Sequence, residues 1–131
     1  MKKYLCILLS VLLLMSCTGC SSAVSYPRGV AVRIVYDREE VSFETKLSRE
    51  EANVVLSILN GKQYDLDMTV SGAGCGFGRE QAFIIRGNVY CLAQDDCNVL
   101  WEEGTNHYYL VSNQELERLK EIFKAHGAKI I

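Results

Sequence analysis

The sequence predicts an α+β fold, an antiparallel sheet with two helices packed on one face, in the order ββαβββββα. Three observations carry that expectation. Short segments alternating apolar with polar residues recur along the chain, as half-buried strands do. Two Ser-x-x-Glu signatures, Ser48 with Glu51 and Ser112 with Glu115, each precede an apolar stripe at helical spacing. Strands come in runs rather than in strict alternation with helices, which favours antiparallel neighbours over a parallel α/β sheet.

The elements follow in order. Val30, Val32, Ile34 and Tyr36 alternate with Ala31, Arg33 and Val35, the period of a strand. Asp37-Arg38-Glu39-Glu40 turns the chain into a second strand marked by Val41, Phe43 and Thr45. Ser48 then opens a helix whose Ala52, Val55, Leu56 and Leu59 form one stripe, and Asn60-Gly61 ends it. Tyr64, Leu66, Met68 and Val70 predict a strand with one wet face. Ala82–Arg86 and Val89–Leu92 flank Gly87-Asn88, read as a two-residue hairpin turn with Arg86 facing Val89. Val99–Trp101 and His107–Val111 predict another pair around Glu102–Asn106. The closing helix starts at Ser112, carries Leu116, Leu119, Ile122 and Phe123 inward, and stops at Gly127. His126, in its last turn, suits a role at the helix C-terminus.

Before this body stands a different kind of segment. Lys2 and Lys3 precede an apolar run from Tyr4 to Met15 that only Ser10 interrupts. Such a run is too short for an ordinary spanning helix, which needs about 20 apolar residues, and has the length of a secretory h-region. Its end, Leu14-Met15-Ser16-Cys17, resembles the lipobox of bacterial lipoprotein precursors. The resemblance covers the first 17 residues. It implies that residues 1–16 are a signal peptide and that Cys17 becomes the lipidated, palmitate-bearing N-terminus. It further implies a location outside the cytoplasm, in the bacterial cell envelope, with the membrane reached through that anchor. Cys20 is the weaker second candidate, lacking an aliphatic residue three places before it. Residues 17–27 read as a lipidated tether and 28–131 as a single domain.

Removing residues 1–16 of 131 leaves 115, a length that suits one domain with a real core. With Lys2 and Lys3 gone, 12 basic residues face 16 acidic ones, a formal charge of −4. A mildly acidic domain without a basic cluster carries no electrostatic footprint for nucleic acid.

The stretch from Ser71 to Gly78, SGAGCGFG, is where chemistry would be sought. A dinucleotide loop needs glycines in a different register and a following helix, whereas Ala82–Ile85 reads as a strand. A nucleophilic Cys75 would need a base such as His107, and no cysteine-hydrolase signature surrounds it. A metal site from Cys75, Cys91, Cys97 and His107 lacks the paired C-x2-C spacing. Thiols oxidise outside the cytoplasm, which favours a disulfide. The hairpin register sets Gly78 opposite Cys97, so Cys75 is expected to pair with Cys97, with Cys91 as the alternative partner. The glycines would let the backbone bend through conformations closed to other residues.

The functional expectation is a non-catalytic binding or interaction module stabilised by a disulfide. It uses no cofactor and no metal, and its partner is an envelope or extracellular protein. Phe77, Trp101 and Tyr108 form the candidate interaction surface, since aromatic residues are enriched at interface centres. The alternative is a metal carrier or a redox or thiol enzyme built on Cys75, Cys97 and His107.

Overall fold

The structure, a computed structural model, describes residues 23–64, 76–95 and 97–130. They form an α+β fold, an all-antiparallel sheet of six strands with two helices. Along the chain come β1 (Val32–Arg38), β2 (Val41–Lys46), α1 (Arg49–Leu59), β3 (Phe77–Ile85), β4 (Asn88–Ala93), β5 (Val99–Glu102), β6 (Tyr108–Leu110) and α2 (Asn113–Ala125). Across the sheet their order is β2-β1-β3-β4-β5-β6. The expected signal peptide over 1–16, Cys17, Cys20, Cys75 and, apart from Tyr64, the strand expected over 64–70 lie outside the described residues.

Alternation decides which side chains meet. Val32, Ile34 and Tyr36 of β1 share one side of the sheet with Phe83 and Ile85 of β3 and with Tyr90 and Leu92 of β4, as the cross-strand registers require. Leu100 and Tyr109 continue that side through β5 and β6. This inner side is buried in one cluster with Val55, Leu56 and Leu59 of α1 and Leu119, Ile122 and Phe123 of α2. Each large side chain so enclosed contributes about 1.5–3 kcal/mol relative to exposure. Val24 belongs to the same cluster, and Tyr26 is held by its backbone N–H donating to Asn60 Oδ1 at 2.8 Å. The packed body therefore takes in residues within the stretch expected as tether.

Both capping boxes form as the sequence predicts. Ser48 Oγ accepts from Glu51 N and Glu51 Oε2 from Ser48 N; Ser112 and Glu115 repeat the pattern. Each box glutamate also reaches the end of the other helix. Glu51 Oε1 lies 3.0 Å from His126 Nε2, and Glu115 Oε2 accepts from Lys62 Nζ at 2.9 Å. The start of each helix thus meets the end of the other, so the two run antiparallel. His126 is the C-cap residue of α2, but its ring serves this contact between helices.

The β3–β4 hairpin corrects the expected register. Ile85 pairs with Asn88 and Ile84 with Val89, so the turn residues are Arg86 and Gly87, and Arg86 does not face Val89. Their φ angles are 50° and 81°, the doubly positive geometry of a type I′ turn, which matches strand twist. That turn wants glycine second, and a Gly87-Asn88 turn would put it first. Further along, pairing passes from Ala82↔Cys91 to Phe77↔Ala93, with four residues of β3 between the pairs against one of β4. This bulge overturns the expected facing of Gly78 and Cys97. It also moves the start of the strand from Ala82 to Phe77, so the end of SGAGCGFG is sheet rather than loop.

Candidate functional site

The side of the sheet opposite the main core, its outer face, brings together the three aromatic residues singled out from the sequence. Phe77 lies 6.1 Å from Trp101 and 5.8 Å from Tyr108, centroid to centroid. Trp101 and Tyr108 are direct cross-strand partners, and the Trp101 indole N–H donates to Thr105 O at 2.9 Å, which fixes the ring. Beneath them is a small apolar cluster of Ala82, Val89 and Cys91 with Ile84 packed against it. All three rings are half-buried, and Leu110, two residues on from Tyr108, is 52% exposed. Arg79 Nε donates to both carboxylate oxygens of Glu103 at 2.8 Å. That bond holds the Glu103 carboxyl below its ordinary range and raises the guanidinium.

Gly76 and Gly78 open this region without positive φ angles, so the expected glycine-only bending is not their role. At Gly76 the reason is space: an added Cβ would stand 3.2 Å from Gln94 Oε1, tighter than ordinary contact. The backbone there is tied down, with Gln94 N donating to Gly76 O at 2.9 Å.

The cysteines separate. Cys91 is free and fully buried, so it is not the alternative disulfide partner. Burial, aided by the nearby Glu103 charge and opposed by Arg79, pushes its thiol up to about 11. A thiol so protonated is no activated nucleophile. Cys97 is half-buried just ahead of β5.

His107 belongs to the other side. Its Nδ1 lies 3.2 Å from Glu102 Oε2, which also accepts from Tyr109 O–H at 2.9 Å. Tyr64 stacks on the imidazole at 3.9 Å between centroids, 10° from parallel. Glu102 pairs across strands with Tyr90 of the inner face, whereas Cys91 pairs with Trp101 of the outer face. His107 and Cys91 therefore work on opposite sides of the sheet. Among the described residues, no three His, Cys, Asp or Glu side chains gather where they could hold one metal ion.

A cavity of about 580 Å³ opens at the bulged end of the sheet, a site the sequence did not disclose. Tyr36, Arg38, Gln81, Lys120, Lys129 and Ile130 line it. Gln81 pairs with Tyr36 across the strands and follows Ile85 and Phe83 on the inner side; it is only 5% exposed. Its carboxamide takes no partner from the described residues, and its polar atoms border open space. Lys120 is 8% exposed, and its Nζ donates to Glu117 Oε1 at 3.3 Å. Tyr36 O–H donates to Lys129 O at 3.1 Å and pins the C-terminal segment over the cavity. Lys120 left a signal in the sequence. It occupies an apolar position in the stripe Leu116, Leu119, Lys120, Phe123. Gln81 continues the alternation of Ile85 and Phe83, but it stands before Ala82, where the strand was expected to begin.

Comparison with protein-family models, with curated proteins and with solved structures found no match to this chain.

Proposed function

We propose that the chain is a small bacterial lipoprotein, lipidated at Cys17, that stands outside the cytoplasm and binds a protein partner of the envelope or the extracellular space without catalysis. The joining of Phe77, Trp101 and Tyr108 on the outer face carries the reading. Three rings side by side, a polar rim at Arg79 and Glu103, and an exposed Leu110 beyond them have the make-up of an interface centre. The anchor rests on the resemblance of Leu14–Cys17 to a lipobox. Several acyl chains, at about 0.8 kcal/mol per buried methylene, would hold so small a domain on a membrane.

Two finer features belong to the same proposal. The first is a Cys75–Cys97 disulfide. Cys91 is free and buried, which leaves Cys97 as the partner of the two and supports it. The hydrogen bond between Gly76 and Gln94 further brings the neighbour of Cys75 to within three residues of Cys97. The second is the complete order ββαβββββα with both helices on one face of the sheet. The single cluster shared by the inner side chains and both helices supports that packing.

The test captures partners from native envelope with the wild type and with Trp101→Ala/Tyr108→Ala. A partner held by the wild type and lost by the variant, with the circular dichroism of both alike, is the expected result. Equal capture by both would remove the outer face from the reading. Fatty-acid label still entering Cys17→Ser would remove the anchor at Cys17.

A further inference from the structure

We infer that a second cavity, on the inner side of the sheet beside Glu102, is a binding site for a guanidinium group. The inference stands apart from the anchor and from the outer face, since none of its residues takes part in either. The cavity measures about 270 Å³, and Tyr26, Tyr64, Tyr90, Tyr109, Glu102 and His107 line it. Tyr90 faces Glu102 across β4 and β5. The β5–β6 hairpin returns His107 and Tyr109 to the same carboxylate, and the segment before β1 sets the Tyr26 hydroxyl 2.6 Å from that of Tyr90. Four of the chain's seven tyrosines thereby gather around one carboxylate. No lysine or arginine among the described residues lines the space.

The lining sets the ligand. The Glu102 side chain is only 15% exposed, and Tyr109 and His107 both contact its Oε2. Its Oε1 takes no donor among the described residues and keeps open surface. Burial raises the Tyr90 and Tyr109 hydroxyls, which stay neutral, so the negative charge of the lining is that of Glu102. Asn88 Nδ2 donates to the Tyr26 hydroxyl at 2.8 Å and helps to orient the Tyr26–Tyr90 pair. A carboxylate among phenol oxygens asks for a cation that carries N–H donors. Tyr64 stacked on His107 adds a flat aromatic wall. A guanidinium is planar, rich in donors, more weakly hydrated than an ammonium and prone to lie on aromatic rings. A quaternary ammonium would meet the rings but leave every acceptor without a donor. The volume falls just below the usual range of about 300–1,000 Å³ for small-molecule sites, which suits one group on a short chain.

The experiment titrates the full chain with ethylguanidinium, ethylurea and tetramethylammonium at constant ionic strength and about pH 8, where an ordinary imidazole is neutral. The His107 ring signals are followed by NMR. Ethylguanidinium should shift them saturably and bind at least about tenfold more tightly than its neutral isostere ethylurea or than tetramethylammonium. Glu102→Gln, which keeps the shape and an acceptor, should weaken ethylguanidinium about tenfold or more. Should that variant fail to fold, the three-ligand comparison on the wild type decides alone. Acetyl-arginine methylamide then separates the sources. Binding about tenfold tighter than ethylguanidinium assigns the group to an arginine of a peptide, and equal binding assigns a free guanidine compound; either keeps the site. Ethylurea binding as well as ethylguanidinium would deny the charge, and tetramethylammonium doing so would deny the donors. No saturable shift would mean a pocket closed by its own hydrogen bonds, and unchanged affinity in folded Glu102→Gln would deny the carboxylate its role. Each of these four results overturns the assignment.

Discussion

Cys91 packs between Ala82 and Trp101 in the cross-strand row of the outer face, where its side chain has no exposed surface. Enclosure favours the neutral thiol, and the Glu103 charge favours it further. The folded protein therefore holds this proton more tightly than the unfolded chain, with a value of about 11 against an ordinary 9.0. Stability linked to Cys91 is whole below pH 9 and falls as the pH rises towards 11, by on the order of 2–3 kcal/mol across the window. Tyr90 and Tyr109, also raised by burial, add an alkaline loss of their own, so a difference measurement is needed. The gap in urea midpoint between wild type and Cys91→Ala should stay constant below pH 9 and narrow above it. A gap that never narrows would mean that the thiol titrates alike in both states. Single residues also mark where sequence reading stopped. Arg86 takes a positive φ that propensity assigns to glycine or asparagine, and that choice shifted the expected hairpin register.

Each helix here depends on one carboxylate for two contacts. Glu51 bonds its own N-cap backbone and His126 at the far end of α2; Glu115 does the same with Ser112 and Lys62. Burial pushes both carboxyls up, but the backbone N–H and the cross-helix partner outweigh it, so both fall below the ordinary 4.5. A depressed carboxyl contributes stability above its unfolded value and loses it as the pH drops through the folded one. The protein should therefore weaken on acidification below about pH 4.5, with Glu51→Gln and Glu115→Gln each flattening that slope. An acid slope unchanged in both variants would assign the loss to other groups. At neutral pH, Ser48→Ala and Ser112→Ala should each cost about 1 kcal/mol by freeing a first-turn donor, read as a lower denaturation midpoint. Elements of this kind were legible because their signals are local: a serine, a glutamate three residues on, and a stripe behind them. The Trp101–Tyr108 pair was legible through the same kind of hairpin reasoning. The approach of Phe77 was not, because it arises from a bulge in which four residues of β3 oppose one of β4. No periodicity within one strand encodes a slip against its neighbour.

At the scale of the whole molecule, the sheet separates two kinds of chemistry. Its inner side is buried with both helices, and its outer side leaves three half-exposed rings beside an ion pair. The bulge lies at one end of the sheet and brings Phe77 to the outer side. A bulge that unpairs so many ladder positions weakens the end of the sheet, and a cross-link beside it would offset that loss. The proposed Cys75–Cys97 bond would close a loop of about twenty residues and contribute on the order of 3 kcal/mol, chiefly through the unfolded state. Its loss should not act evenly. In Cys75→Ser the amides of Gly76 to Glu80 and of Gln94 should exchange faster than those of β1 and of the distal β3–β4 hairpin, because the register shift lets that end open by itself. Global stability should fall by a similar 3 kcal/mol, while the Trp101–Tyr108 ladder, held by Thr105, should keep its protection. Peptide mapping of the unreduced, denatured wild type should find Cys91 alkylated and Cys75 joined to Cys97. If Cys75 alkylates without reductant in the folded protein, the bulged end is held by its glycine contacts alone and the cross-link has no part in it.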